Sequence, residues 1–181
     1  KTVVQTHLHW DHAAGMDFFP NAEFYLQAQE LIGLLNLNPN EETYYIPGHW
    51  IHLFPRINLV NGTYRLKDGI TLMFTGGHSP GHQVVAVETR SGTVILGGDA
   101  PFNYDTLWQM IPADYWMMYR NGPGKRFYWE ENIIPAISGF LESRNLLHSE
   151  RPVPVTQLEL KQTGRCLFSH DPGLNRIEAI I

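Results

Sequence analysis

Four side chains able to hold a cation stand within six residues near the start of the chain, in the run Thr6-His7-Leu8-His9-Trp10-Asp11-His12. On an extended segment, residues two apart point the same way, so the His7 and His9 imidazoles can address one ion. Asp11 keeps that spacing, whereas His12 faces elsewhere unless the backbone turns. Ala13-Ala14-Gly15 permits a turn into a short helix over Ala13 to Phe19, which would carry Asp11 and His12 to a second ion a few ångströms away. Without a cation the grouping is costly, because protonated imidazoles repel one another and buried neutral ones need a partner for their lone pairs. Three more candidates stand at strand ends: His78 in Gly76-Gly77-His78-Ser79-Pro80-Gly81-His82, Asp99 after Leu96-Gly97-Gly98, and His170 in Leu167-Phe168-Ser169-His170-Asp171. Two ions need about six or seven protein ligands, and these residues together supply that number.

Composition limits what such a site can serve. The 181 residues are 43% hydrophobic and 17% charged, with mean hydropathy −0.23, a mix that builds a core and excludes disorder. No apolar run reaches the length of a membrane span, so no membrane partner is expected. The net charge of −5 and pI of about 6.0 run opposite to the basic surplus of nucleic-acid binders. The single cysteine, Cys166, forbids an internal disulfide and reads as a small core residue. One thiol suits a reducing or an oxidising compartment, and the cytoplasm is the expected location.

The elements that must position these residues follow from breakers and periodicity. Thr2 to Thr6 reads as a buried strand, Glu23 to Gln27 as a second, and Ala28 to Leu35 as a helix. Breakers mark Asn36 to Asn40 and its neighbours as loop. A β-rich middle follows at Ile57 to Val60, Thr63 to Leu66, Ile70 to Thr75, Gln83 to Thr89 and Thr93 to Gly97. Asn61-Gly62, Asp68-Gly69 and Ser91-Gly92 supply the tight turns between them. Residues 100–129 read as irregular and aromatic, 130–144 as helix kinked at Pro135, and Arg165 to Ser169 as a last strand. Strands first, with helices between and after them, predict sheet packed on sheet with helices outside.

The succession His7-x-His9-x-Asp11-His12, then His78, Asp99 and His170, resembles the metallo-β-lactamase superfamily. The wording Thr-His-Leu-His-Trp-Asp-His-Ala-Ala-Gly, Gly-His-Ser-Pro-Gly-His-Gln and Phe-Ser-His-Asp is closest to its N-acyl-homoserine lactone lactonase branch. The resemblance implies an α+β fold, the four-layer αββα sandwich, over a single metallo-hydrolase domain at 1–181. It also implies His7, His9 and His78 on one divalent ion, Asp11, His12 and His170 on the other, and Asp99 bridging both. A bridging carboxylate is similar to the dinuclear lactonases and thioesterases rather than the β-lactam hydrolases. His82 is expected to support the ligands or to be structural, while His49, His52 and His148 match no ligand position and read as loop or surface histidines. The family's first sheet normally precedes the His-x-His-x-Asp-His loop, so residues 1–181 are expected to be the C-terminal portion of a longer chain.

The expected chemistry is metal-dependent opening of lactone rings, by attack of a hydroxide shared between two ions about 3.5–4 Å apart. Asp11 or Asp99 would return a proton to the leaving alkoxide, and no serine or cysteine nucleophile is needed. Nitrogen and oxygen ligands suit zinc, with Fe, Co or Mn as alternatives. The aromatic stretch 102–129, with Phe102, Tyr104, Trp108 and Trp116, is expected to wall the substrate's acyl chain; core packing or a homodimer interface is the competing role. The lactonases place a carbonyl-assisting tyrosine where this chain has Phe102, which leaves Tyr104 as the nearby replacement. A glyoxalase II-like thioesterase or a phosphodiesterase of the same fold is the second functional reading, and a non-catalytic metal-binding protein the third.

Overall fold

Alternation in the second strand decides how the first sheet is sandwiched. In the computed structural model, which describes residues 1–37, 41–100 and 129–169, β2 (Glu23–Gln27) pairs in parallel with β1 (Thr2–Val4) and β3 (Ile57–Val60). Phe24 and Leu26 enter an apolar cluster on one face with Ile57, while Tyr25 points to the opposite face with Val4 and Val60. Burying one such side chain stabilises the fold by roughly 1.5–3 kcal/mol.

Parallel neighbours need long crossovers, and the two here carry the helices that cover the Phe24 face. The first holds α1 (Trp10–Ala13) and a 3₁₀ turn at Met16–Phe18; the second holds α2 (Ala28–Leu34) and 3₁₀ turns from Glu41 to Arg56. Leu31 and Leu34 of α2 and the fully buried Trp50 join the cluster, as do Ile137 and Leu141 of α3 (Ile134–Ser143).

The second sheet is a meander with one late addition. β4 (Tyr64–Lys67), β5 (Ile70–Phe74), β6 (Gln83–Thr89) and β7 (Gly92–Leu96) pair antiparallel in chain order, and β8 (Arg165–Leu167) joins β7 in parallel. Lys67 pairs with Ile70 across Asp68-Gly69, where Gly69 takes φ +74°. Leu72 and Val85 face the first sheet; Val84, Ala86 and Ile95 face the other way and pack on Leu160 of α4 (Gln157–Thr163). The layers are therefore helix, three-stranded sheet, five-stranded sheet, helix. This is the expected αββα sandwich.

Three local expectations change. The helix expected over Ala13 to Phe19 starts earlier, because the His9 carbonyl accepts from His12 N–H at 3.0 Å and Ala13 N–H at 2.9 Å, placing Asp11 and His12 on α1. Pro135 does not kink a helix; it lies in the first turn of α3, after a π-helical turn at Trp129–Ile133. α4 went unanticipated, although Thr156 and Glu159 form a reciprocal capping box at its start. Among the described residues no helix is long and apolar enough to cross a membrane.

Candidate metal centre

The loop after β1 is held by one buried amide. Gln5 Nε2 donates to the carbonyls of His7 at 2.9 Å and His12 at 2.7 Å, closing the turn that the His-x-His-x-Asp-His run makes. Gln83 donates in turn to the Gln5 carbonyl at 2.9 Å and receives the Gln27 amide at 2.9 Å, so three buried glutamines tie the loop to both sheets. The His7 Nδ1 lies 3.1 Å from the Thr6 hydroxyl, which leaves Nε2 pointing inward. That nitrogen is buried and has no hydrogen-bond partner among the described residues.

Around His7 the other candidates converge. His9 Nδ1 is 3.1 Å from His78 Nε2; His78 Nε2 and His12 Nε2 lie 3.2 and 3.3 Å from the same Asp99 oxygen, Oδ2. Two donor groups result, His7 with His9 and His78, and His7 with His12 and Asp99, each with its ligand atoms within 4.8 Å of one another. Asp11, on the more open side, places Oδ2 3.6 Å from His12 Nε2.

Asp99 is fixed at both ends. Its backbone N–H donates to His82 Nε2 at 3.1 Å, so the His82 proton sits on Nδ1 and donates to Thr75 Oγ1 at 2.6 Å. Its Oδ1 accepts from the Ser169 hydroxyl, and the Ser169 N–H bonds the Gly98 carbonyl at 2.9 Å. His82 thus links the Asp99 backbone to Thr75 at the end of β5. Cys166 is half-buried, packed beside the cluster under α4.

Burial, then the neighbouring imidazoles, pushes His7 far below the usual histidine range. Burial and the His78 ring lower His9 to about 3, and burial with the same ring lowers His82 to about 3. Burial would raise the Asp99 carboxyl, but donors from His12, His78 and Ser169 outweigh it and hold it well below the carboxylate range. Burial would lower His12, but the hydrogen bond and charge of Asp99, with Asp11, raise it. Neutral imidazoles around an ionised carboxylate are the protonation states that coordinate a cation. The bare His7 Nε2 fits the same use, since an unsatisfied buried polar atom costs about 1–3 kcal/mol.

The structure thus brings together His7, His9, Asp11, His12, His78 and Asp99. His170, Phe102, Tyr104, Trp108 and Trp116 lie outside the described residues. His52 pairs with Asp17 at 2.8 Å on the surface, away from this group. Sequence reasoning missed Gln5, Ser169 and Glu30 as site-shaping residues. For Glu30 the only available signal was a lone carboxylate in the first turn of an otherwise uncharged helix.

Residues 1–128 match the family model described as the metallo-beta-lactamase superfamily. The chain belongs to that superfamily. Among curated superfamily relatives, it is 32% identical over 111 residues to N-acyl homoserine lactonase AiiA of Bacillus thuringiensis subsp. kurstaki, covering 61% of this chain and 42% of the relative. It is 29% identical over 182 residues to N-acyl homoserine lactonase AttM of Azorhizobium caulinodans, covering 95% of this chain and 58% of the relative. The chain thus spans about half the length of these relatives. A crystal structure of a B. thuringiensis AiiA mutant with N-decanoyl-L-homoserine bound superposes with TM-score 0.53 at 22% identity, over 97% of this chain and 57% of that one. A quorum-quenching N-acyl homoserine lactone lactonase gives 0.55 at 20% identity, over 99% and 62%. Both share the superfamily fold.

Proposed function

We propose that residues 1–181 form one metallo-hydrolase domain that opens lactone rings, with N-acyl-homoserine lactones as the substrate class. The observation that carries this reading is the pair of donor groups that share His7, one with His9 and His78 and one with His12 and Asp99, with His7 Nε2 left bare. His7, His9 and His78 would hold one divalent ion, and Asp11, His12 and His170 a second, with Asp99 shared; zinc suits these ligands. Bound there, the ions would supply Lewis acidity and lower the pKa of a hydrolytic water. The names of the curated relatives support the substrate class.

Hydrolysis adds water across the ring C–O bond and leaves a carboxylate and a free hydroxyl. The proton that the water loses must reach the departing alkoxide. Asp11, at the open side of the group, would carry it, and the contacts of Asp99 with His12, His78 and Ser169 favour Asp11 over Asp99 for that role. Trp10 and Tyr44 are exposed, and the Tyr44 ring lies 5.3 Å from that of His9; they offer the acyl chain an apolar rim beside the histidines. Tyr104, Phe102, Trp108 and Trp116 complete the proposed substrate contacts.

The test pairs elemental analysis with acid release, followed by pH indicator, over lactones, thioesters and phosphodiesters. Two equivalents of metal, with lactone turnover abolished by chelation and restored by Zn²⁺ or Co²⁺, are expected. Turnover confined to thioesters or phosphodiesters, or silence across the panel in metal-loaded protein, would overturn the proposal.

A further inference from the structure

Glu30 is fully buried in the first turn of α2, and it faces donors from three separate segments. Its Oε1 accepts the Leu8 N–H at 2.9 Å and the Tyr45 hydroxyl at 3.4 Å. Its Oε2 accepts the Ser79 hydroxyl at 2.6 Å and the Gly81 N–H at 2.7 Å. Leu8 separates His7 from His9, and Ser79 follows His78. One carboxylate therefore spans the two loops that carry the first donor group.

Packing between α2 and the second loop leaves no slack. A Cβ on Gly81 would stand 2.0 Å from the Glu30 backbone nitrogen, and one on Gly33 would stand 2.0 Å from Pro80 Cβ. Ser79, Pro80 and Gly81 are thus each accounted for by the same helix, the first as a donor, the second as a knob against Gly33, and the third by its missing side chain. The three residues after His78 in the Gly-His-Ser-Pro-Gly-His run are a docking surface for α2.

We propose that Glu30 is a positioning residue that fixes the distance between the His7–His9 pair and His78, and thereby sets the cation affinity of the first donor group. This rests on the metal-binding reading above. Replacing one oxygen by an amide sets a donor against a donor at Leu8 or at Gly81, so Glu30→Gln must release one loop from the other. The bland role, a hydrogen-bonded carboxylate that only holds the fold, predicts lost stability with unchanged coordination.

The experiment measures Zn²⁺ affinity by competition with a colorimetric chelator, and the visible absorption of the Co²⁺ form, alongside the unfolding midpoint. Leu34→Ala, a cavity one turn further along the same helix that removes no hydrogen bond to Glu30, is the control for stability alone. Glu30→Gln is expected to weaken Zn²⁺ by about 10–100-fold and to alter the Co²⁺ spectrum. Leu34→Ala is expected to lower the midpoint with both unchanged. Ser79→Ala, which removes one donor, is expected to move affinity the same way by a smaller factor, and it carries the test should Glu30→Gln not fold. Wild-type affinity in the Glu30 and Ser79 variants, or an equal loss in Leu34→Ala, overturns the inference. Wild-type protein that binds no Zn²⁺ overturns the metal-binding reading itself, and the inference with it.

Discussion

Asp99 receives His12 and His78 on one carboxylate oxygen and Ser169 on the other, while His82 holds its backbone. Replacing Asp99 with Asn removes the charge but keeps the shape, so metal occupancy and turnover should fall together. The loss should be no smaller than the about 10–100-fold typical of a ligand's hydrogen-bonding partner. Near-normal turnover with two metals still bound would contradict the shared-ligand role. The histidines of the first run were legible in the sequence because their geometry is local: a spacing of two and a turn. Glu30 was not legible, because its partners Leu8, Ser79 and Gly81 lie 22, 49 and 51 residues away, and only the fold makes them neighbours. Ser169 escaped for the same reason.

The Asp68-Gly69 turn closes the hairpin of β4 and β5 as expected, whereas Asn61-Gly62 joins β3 to β4 across the two sheets. α4 was harder, since Gln157–Thr163 buries only Leu160 and so carries too little apolar periodicity to stand out. What defines α4 is its cap: the Thr156 hydroxyl accepts the Glu159 N–H at 3.2 Å, and Glu159 answers by accepting the Thr156 N–H at 2.7 Å. Thr156→Ala should lower stability by about 1 kcal/mol, read as a shift of the denaturant midpoint at constant slope. An unshifted midpoint would show that packing of Leu160 alone holds the helix. The first helix teaches the complementary lesson. Asp11 and His12 reach the site because α1 starts at Trp10, one turn sooner than small residues alone indicated.

Four layers enclose His7, His9 and His82, whose imidazoles stay neutral when folded, and this ties the stability of the whole molecule to pH. His9 and His82 are held to about 3, so between their unfolded value near 6.5 and that limit the unfolded chain binds protons that the folded one refuses. Stability therefore falls with acidification across this window, by about 2 kcal/mol at pH 5 for a single such histidine. His12 shifts upward and opposes the trend, but it is outnumbered by His7, His9 and His82. Metal-stripped protein in chelator should show a denaturant midpoint that drops from pH 7 to pH 5, and Zn²⁺ at pH 7 should raise it by binding the native state alone. A midpoint constant or rising toward pH 5 would contradict the neutral-imidazole description.

The sandwich was readable from element order, whereas the parallel partner of β7 was not, because β8 returns from a remote part of the chain. That return has a consequence during biosynthesis. Ser169 is translated 70 residues after the aspartate it secures, an interval of roughly 4–14 s at about 5–20 residues per second. For that time a nascent chain displays the histidines of its first loop with the Asp99 carboxylate still lacking its Ser169 anchor, and the finished pocket waits on the return of β8.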